Sequence, residues 1–186
     1  MTKTHVGVSM AVLVLLGAAS AGAGEPVLPF HATLQATEDC ESSASPSEQC
    51  RGFADWLAEC QAKGYGWGFQ AVRSGYATQL GRVTSFEQGC LEFSATGFTR
   101  SNVQLTVTAR SGHGALIIYV NALFDFASWN APLNPPPATG TFTITGGSGR
   151  YAGARGSGTL GNVFGEGSPG WIVYLDGFLR PAVGNR

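Results

Sequence analysis

Lysine is almost missing from this chain: Lys3 sits at the very start and Lys63 is the only other. Charged residues of all kinds make up 12% of the 186, and 11 Lys+Arg against 12 Asp+Glu leave a net charge of −1. No basic run and no acidic tail is present, so nucleic-acid binding, which draws its affinity from clustered cations against phosphates, has no electrostatic basis here. Histidine is scarce too, with His5, His31 and His113 alone, and no Cys-x-x-Cys pair occurs. That leaves too few well-spaced ligands for a zinc site. There is no Gly-x-Ser-x-Gly and no Gly-Lys-Ser/Thr, so neither a hydrolase nucleophile elbow nor a nucleotide phosphate loop is signalled. The reading is therefore of a protein without metal or cofactor.

One apolar run stands out at the start. Lys3 and His5 precede Val6–Leu16, and Ala19-Ser20-Ala21 follows as a small-residue cleavage site, with Ala21-Gly22-Ala23 as a near alternative. This is the pattern of an export signal. The run falls short of the about 20 residues that span a bilayer, so no membrane span is expected after cleavage. The expected division is a signal peptide over 1–21 and a single domain over 22–186, secreted or periplasmic. Four cysteines follow, Cys40, Cys50, Cys60 and Cys90, and an even count in an exported chain reads as two disulfides.

Only one segment reads as helix, within a Cys-rich insertion at about 38–64. Ser45-Pro46-Ser47-Glu48 has the form of a capping box with proline in the first turn. Cys50, Phe53, Leu57 and Cys60 recur at helical spacing, and Gly64 suits the stop. On such a helix Cys50 and Cys60 lie roughly 15 Å apart, beyond the about 7 Å that a disulfide allows between Cα atoms. Two pairings survive: Cys40–Cys50 with Cys60–Cys90, or Cys40–Cys60 with Cys50–Cys90. The first is favoured, because the short 41–44 loop can fold back on the first helical turn.

The remainder reads as strands. In Asn102–Arg110 the residues Val103, Leu105, Val107 and Ala109 alternate with polar ones, and in Ala115–Phe126 every even position is apolar. Ser111-Gly-His-Gly114 is the turn between them. Further strands are expected at Val27–Thr37, Tyr65–Val72, Gly75–Phe86, Cys90–Ala95 (after a turn at Gln88-Gly89) and Trp171–Leu179. Ser128–Thr139, with four prolines, reads as a loop or lid over one end. Gly140–Leu160 reads as strand, glycine turn, strand; its glycines miss the dinucleotide-binding spacing by one residue. With 27 glycines in no fixed period and no alternation of strands with helices, the expected class is all-β: an antiparallel closed barrel of about eight strands, or failing that a sandwich.

Three segments carry a family likeness: Ala77-Thr-Gln-Leu-Gly-Arg-Val-Thr84, Thr106-Val-Thr-Ala-Arg-Ser-Gly112, and Gly140-Thr-Phe-Thr-Ile-Thr-Gly-Gly-Ser-Gly-Arg-Tyr-Ala-Gly-Ala-Arg-Gly-Ser-Gly158. Over residues 65 to 180 the chain resembles secreted bacterial relatives of the allene oxide cyclase and dirigent barrels. The resemblance implies an eight-stranded barrel with an apolar lumen, trimeric assembly as in plant members, and guests such as fatty-acid epoxides or phenolic radicals. Arg155 matches the arginine of the dirigent Ala-Arg-Gly, and Arg150 a variable basic position.

Candidate site residues follow from carboxylates and aromatics set in apolar strands. Asp176 interrupts Trp171–Leu175 and Phe178-Leu179, with Tyr174 two residues before it; Asp125 and Glu92 stand between apolar neighbours. A carboxylate in a dry lumen can act as acid or base; on alternation alone it faces solvent or an arginine such as Arg82, Arg110 or Arg180. Asp176, Tyr174 and Arg155 are the catalytic candidates, and Trp67, Tyr119 and Trp171 the ligand-binding ones. His31 and His113 are the only groups of that kind titrating near neutrality, and both fit packing or solvent. Three readings stand: a secreted binding module for a small apolar ligand or a partner, which is favoured; a cofactor-free isomerase or cyclase acting in the lumen; and a structural envelope or surface protein.

Overall fold

The computed structural model describes residues 26–41, 43, 45–125, 138–164 and 171–182. Eight strands are formed: β1 (Leu28–Asp39), β2 (Trp67–Ala77), β3 (Gly81–Phe93), β4 (Gly97–Ala109), β5 (Gly114–Asp125), β6 (Ala138–Gly149), β7 (Arg155–Phe164) and β8 (Trp171–Arg180). Each pairs antiparallel with the next in chain order, and β8 returns to β1, closing the barrel. Closure leaves no unpaired edge to recruit another chain.

Alternation decides what faces inward. Val103, Leu105, Val107 and Ala109 of β4, and Leu116, Ile118, Val120, Ala122 and Phe124 of β5, are all buried in one core with Phe30, Leu34, Phe142, Ile144, Leu175 and Leu179. An eight-stranded barrel is just wide enough for its own side chains or one small ligand. Phe30 and Phe142 meet edge to face with ring centroids 5.8 Å apart. Between them on the wall stand two glycines, since Phe142 pairs with Gly158, Gly158 with Gly177, and Gly177 with Phe30. A Cβ on Gly158 would lie 2.6 Å from Phe142 Cε1 and 2.1 Å from the Asp176 carbonyl. The glycines of β7 and β8 thus make room for the two rings.

The glycine stretch forms the expected hairpin, β6 and β7 joined through a turn with Gly149 at φ 57° and Gly153 at φ 74°. That turn closes one end of the barrel. Tyr151 and Ala154 are buried there with Leu80 of the β2–β3 turn, and the Tyr151 hydroxyl and Arg150 guanidinium both donate to the Gln79 carbonyl.

Both disulfides form in the favoured pairing, Cys40–Cys50 with Cα atoms 5.0 Å apart and Cys60–Cys90 at 5.6 Å. The helix starts later than its sequence suggests. Glu48–Cys50 is a single 3-10 turn, and α1 runs over Phe53–Ala62 from an N-cap at Gly52. The expected capping box is not what starts the turn: its N-cap is Ser47, which makes no side-chain cap bond, and the Ser47 backbone N–H donates to Glu38 Oε1 at 2.9 Å. That bond holds the Glu38 carboxyl below its usual value. The helix lies against the outer face of β2, and Trp56 Nε1 donates to the Gly89 carbonyl at 3.1 Å.

Two strand boundaries also differ. β2 and β3 run unbroken to a turn at Thr78–Leu80, and Gln88-Gly89 is no turn but an irregularity in the β3–β4 register. The proline segment read as a lid lies outside the described residues, apart from Ala138 and Thr139, which open β6.

Candidate ligand site in the barrel lumen

β2 directs Ala71, Arg73 and Ala77 inward, and β3 directs Val83, Ser85 and Glu87 inward. The register sets Arg73 opposite Ser85 and Ala71 opposite Glu87, so the arginine reaches the carboxylate diagonally. Arg73 Nε donates to Glu87 Oε2 at 2.6 Å, and Nη2 lies 2.5 Å from the same oxygen. The two side chains are 2% and 4% exposed. Ala36 stands across from Arg73 on β1, and Leu105 and Val107 stand across from Glu87 and Ser85 on β4. Small neighbours give the guanidinium its room; the rest of the surrounding wall is apolar.

Ser85 completes the cluster. It is 3% exposed, and its Oγ has no hydrogen-bond partner among the described residues. A buried hydroxyl without a partner costs stability. A buried ion pair is also poor material for stability alone, since apolar residues of equal volume commonly hold a fold as well or better. One ion pair and one hydroxyl without a partner among the described residues thus share one wall of an interior whose core is built from buried apolar side chains.

The catalytic candidates read from the sequence lie elsewhere. Leu175 and Leu179 point inward on β8 and are buried, so alternation turns Tyr174 and Asp176 outward. Tyr174 is 43% exposed. Asp176 Oδ1 meets not an arginine but His31 Nδ1, at 2.9 Å, with both side chains more than half exposed. Arg155 is exposed and hydrogen-bonds the carbonyls of Thr145 and Ala154, so it fastens the base of its own hairpin. Among the ligand-binding candidates, Tyr119 faces outward from β5, and Trp67 is half-buried with Nε1 3.4 Å from Glu41 Oε2. The side chains of Trp171 and Asp125 lie outside the described ones. Glu92 and His113 are exposed. The structure therefore brings Tyr174, Asp176 and His31 together on the outer wall and keeps Arg155 and Tyr119 outside the lumen.

Arg73, Ser85 and Glu87 escaped the sequence reading for a definable reason. Ending one strand at Val72 and starting the next at Gly75 removes Arg73 from any alternation. Read as one strand through to Ala77, Arg73 shares parity with Phe69, Ala71 and Ala77, and folding the hairpin about Gln79 brings Ser85 and Glu87 beside it. Among the described residues no cluster of histidine, cysteine and carboxylate side chains could hold a metal ion. Comparison of the chain with protein-family models, with curated proteins and with solved structures finds no match.

Proposed function

We propose that this protein is an exported binding module whose lumen holds a small, largely apolar ligand, its single polar group set against Ser85 and the Arg73–Glu87 pair. The observation that carries the reading is the Ser85 hydroxyl, buried and unpartnered beside a charge-compensated pair in an otherwise apolar interior. The leader-like start and the two disulfides support export. Because arginine and glutamate already neutralise one another, a ligand with an ionised head would add an uncompensated buried charge. A neutral hydroxyl or carbonyl would instead satisfy Ser85.

Fluorescence competition against an apolar reporter dye, using long-chain alcohols and the carboxylates of matched length, tests this directly. The alcohols should displace the dye at lower concentration, and Ser85→Ala should erase most of that difference. Equal displacement by both classes, unchanged in Ser85→Ala, removes the proposed role of the cluster. A second reading, a cofactor-free isomerase, rests on Glu87 itself. A carboxylate facing an apolar guest can take a proton from one carbon and return it to another. Exchange of carbon-bound hydrogen of a bound guest with deuterated solvent, lost in Glu87→Gln, would favour turnover over binding alone.

A further inference from the structure

The outer wall formed by β8, β1 and β2 carries a second arrangement that the lumen reading does not use. Thr33 pairs with Tyr174 on one side and with Tyr76 on the other, so the two tyrosines flank a threonine in one row. Tyr76 is 56% exposed and Tyr174 43%. Their Cα atoms are two strand spacings apart, about 10 Å. The adjoining row holds His31 opposite Asp176, joined at 2.9 Å, with Thr159 beyond Asp176.

Gly161 pairs with Tyr174 on its β7 side. A Cβ there would meet nothing within 4 Å, and its φ lies outside the positive range. Neither packing nor backbone geometry demands glycine at this position, yet its presence leaves that flank of Tyr174 bare. Among the described residues of these three strands, the large apolar side chains that stand exposed are tyrosines, none of them aliphatic. Protein-docking surfaces bury a more apolar centre. A lipid surface would want aliphatic anchors and cations. Two spaced phenol rings beside hydroxyls and a hydrogen-bonded carboxylate–imidazole pair suit a ligand that is apolar on its ring faces and rich in hydroxyls at its edges.

We propose that this wall binds an uncharged polysaccharide, a β-linked hexopyranose chain. Alternate sugar rings stack on Tyr174 and Tyr76, whose separation is comparable to a disaccharide length. The hydroxyls of the sugar between them meet Thr33 and the His31–Asp176 pair. This site is independent of the lumen site and stands or falls without it.

Isothermal titration with cellohexaose and chitohexaose tests the assignment. The wild type should bind at least one of them, and Tyr76→Ala and Tyr174→Ala should each weaken binding about tenfold, the loss of one stacking contact. Gly161→Asn, which has open space for its side chain, should weaken binding comparably with the fold intact. Tyr119→Ala on β5 and the paired Arg73→Met/Glu87→Leu change should leave it unaltered. Absence of binding to both hexaoses overturns the proposal, as does binding that survives the Tyr76, Tyr174 and Gly161 changes. So does a wild-type dimer in sedimentation velocity that Tyr76→Ala converts to monomer, which would make the wall a contact between copies.

Discussion

Replacing Glu87 by glutamine removes the charge that faces Arg73 while keeping its shape. Both contacting guanidinium nitrogens address one carboxylate oxygen, at 2.6 and 2.5 Å, and the arginine is only 2% exposed. Water therefore cannot take over as counter-dipole. Stranding a buried charge in this way costs about 3–5 kcal/mol, a large share of the about 5–15 kcal/mol that separates folded from unfolded domains. For a chain of this size the melting temperature should fall by roughly 6–20 °C. Arg73→Met should cost a similar amount by removing the guanidinium that faces the buried Glu87 carboxylate. The paired change Arg73→Met/Glu87→Leu should behave in the opposite sense. It removes both desolvation penalties, fills the space with apolar atoms, and should be neutral or stabilising by up to about 4 kcal/mol. Urea unfolding followed by far-UV circular dichroism, with disulfides intact, gives the four stabilities of the cycle. A paired variant as unstable as the sum of the two single ones would show that the wall needs this ion pair to fold. The case for keeping it as a ligand anchor would then collapse.

Other expectations are equally concrete. Gly158→Ala should destabilise the barrel by at least about 1–3 kcal/mol through overpacking against Phe142 and the β8 backbone, whereas Gly161→Ala should be close to neutral; the same urea assay separates them. Removing Cys60–Cys90, which spans 30 residues, should cost about 1 kcal/mol more than removing Cys40–Cys50, which spans 10, on chain-entropy grounds; paired Cys→Ser variants measure this. The Glu38 carboxyl is held low by the Ser47 N–H. Its stabilisation is therefore present above the ordinary carboxylate range and lost as pH falls through the lowered value. Wild type and Glu38→Gln should differ in melting temperature at pH 7 and converge at strongly acid pH; a gap independent of pH would contradict that origin.

The parts of the fold that the sequence displays are those where alternation is clean. Strand β5 and the later half of β4 read directly, because Val103, Leu105, Val107 and Ala109 and the even positions of β5 are apolar and the turn between the strands is marked by glycines, whereas β4 starts at Gly97, five residues before the strand expected from Asn102. The disulfide pairing was legible in two steps: the expected helix excluded Cys50–Cys60 and left two pairings, and the short 41–44 loop favoured Cys40–Cys50 with Cys60–Cys90, the pairing that forms. Strands β2 and β3 were cut in the wrong places, because their inward residues are small or polar and Gly75 and Gly89 look like turns. The same feature hid the lumen cluster: where a barrel wall carries arginine, serine and glutamate inward, hydrophobic alternation has nothing to report. The helix start misled for another reason. Ser45–Glu48 has the letters of a capping box, but the chain there makes only a 3-10 turn capped at Ser47, whose N–H is tied to Glu38 on β1, and the α-helix starts at Phe53. For Asp176 and Tyr174, alternation with Leu175 already pointed outward, and their pairing with His31 and Thr33 became visible only with the β1–β8 register that closes the barrel.

The central claim is that the lumen holds a ligand at Ser85, Arg73 and Glu87. Native mass spectrometry of the protein purified from its own host, with the Arg73→Met/Glu87→Leu variant purified alongside, addresses it most directly. The account predicts a wild-type population heavier than the bare chain by the mass of one small uncharged molecule, and a variant that is folded and carries none. Folded wild type that arrives without any retained molecule, or a variant that retains the same one equally well, would contradict it.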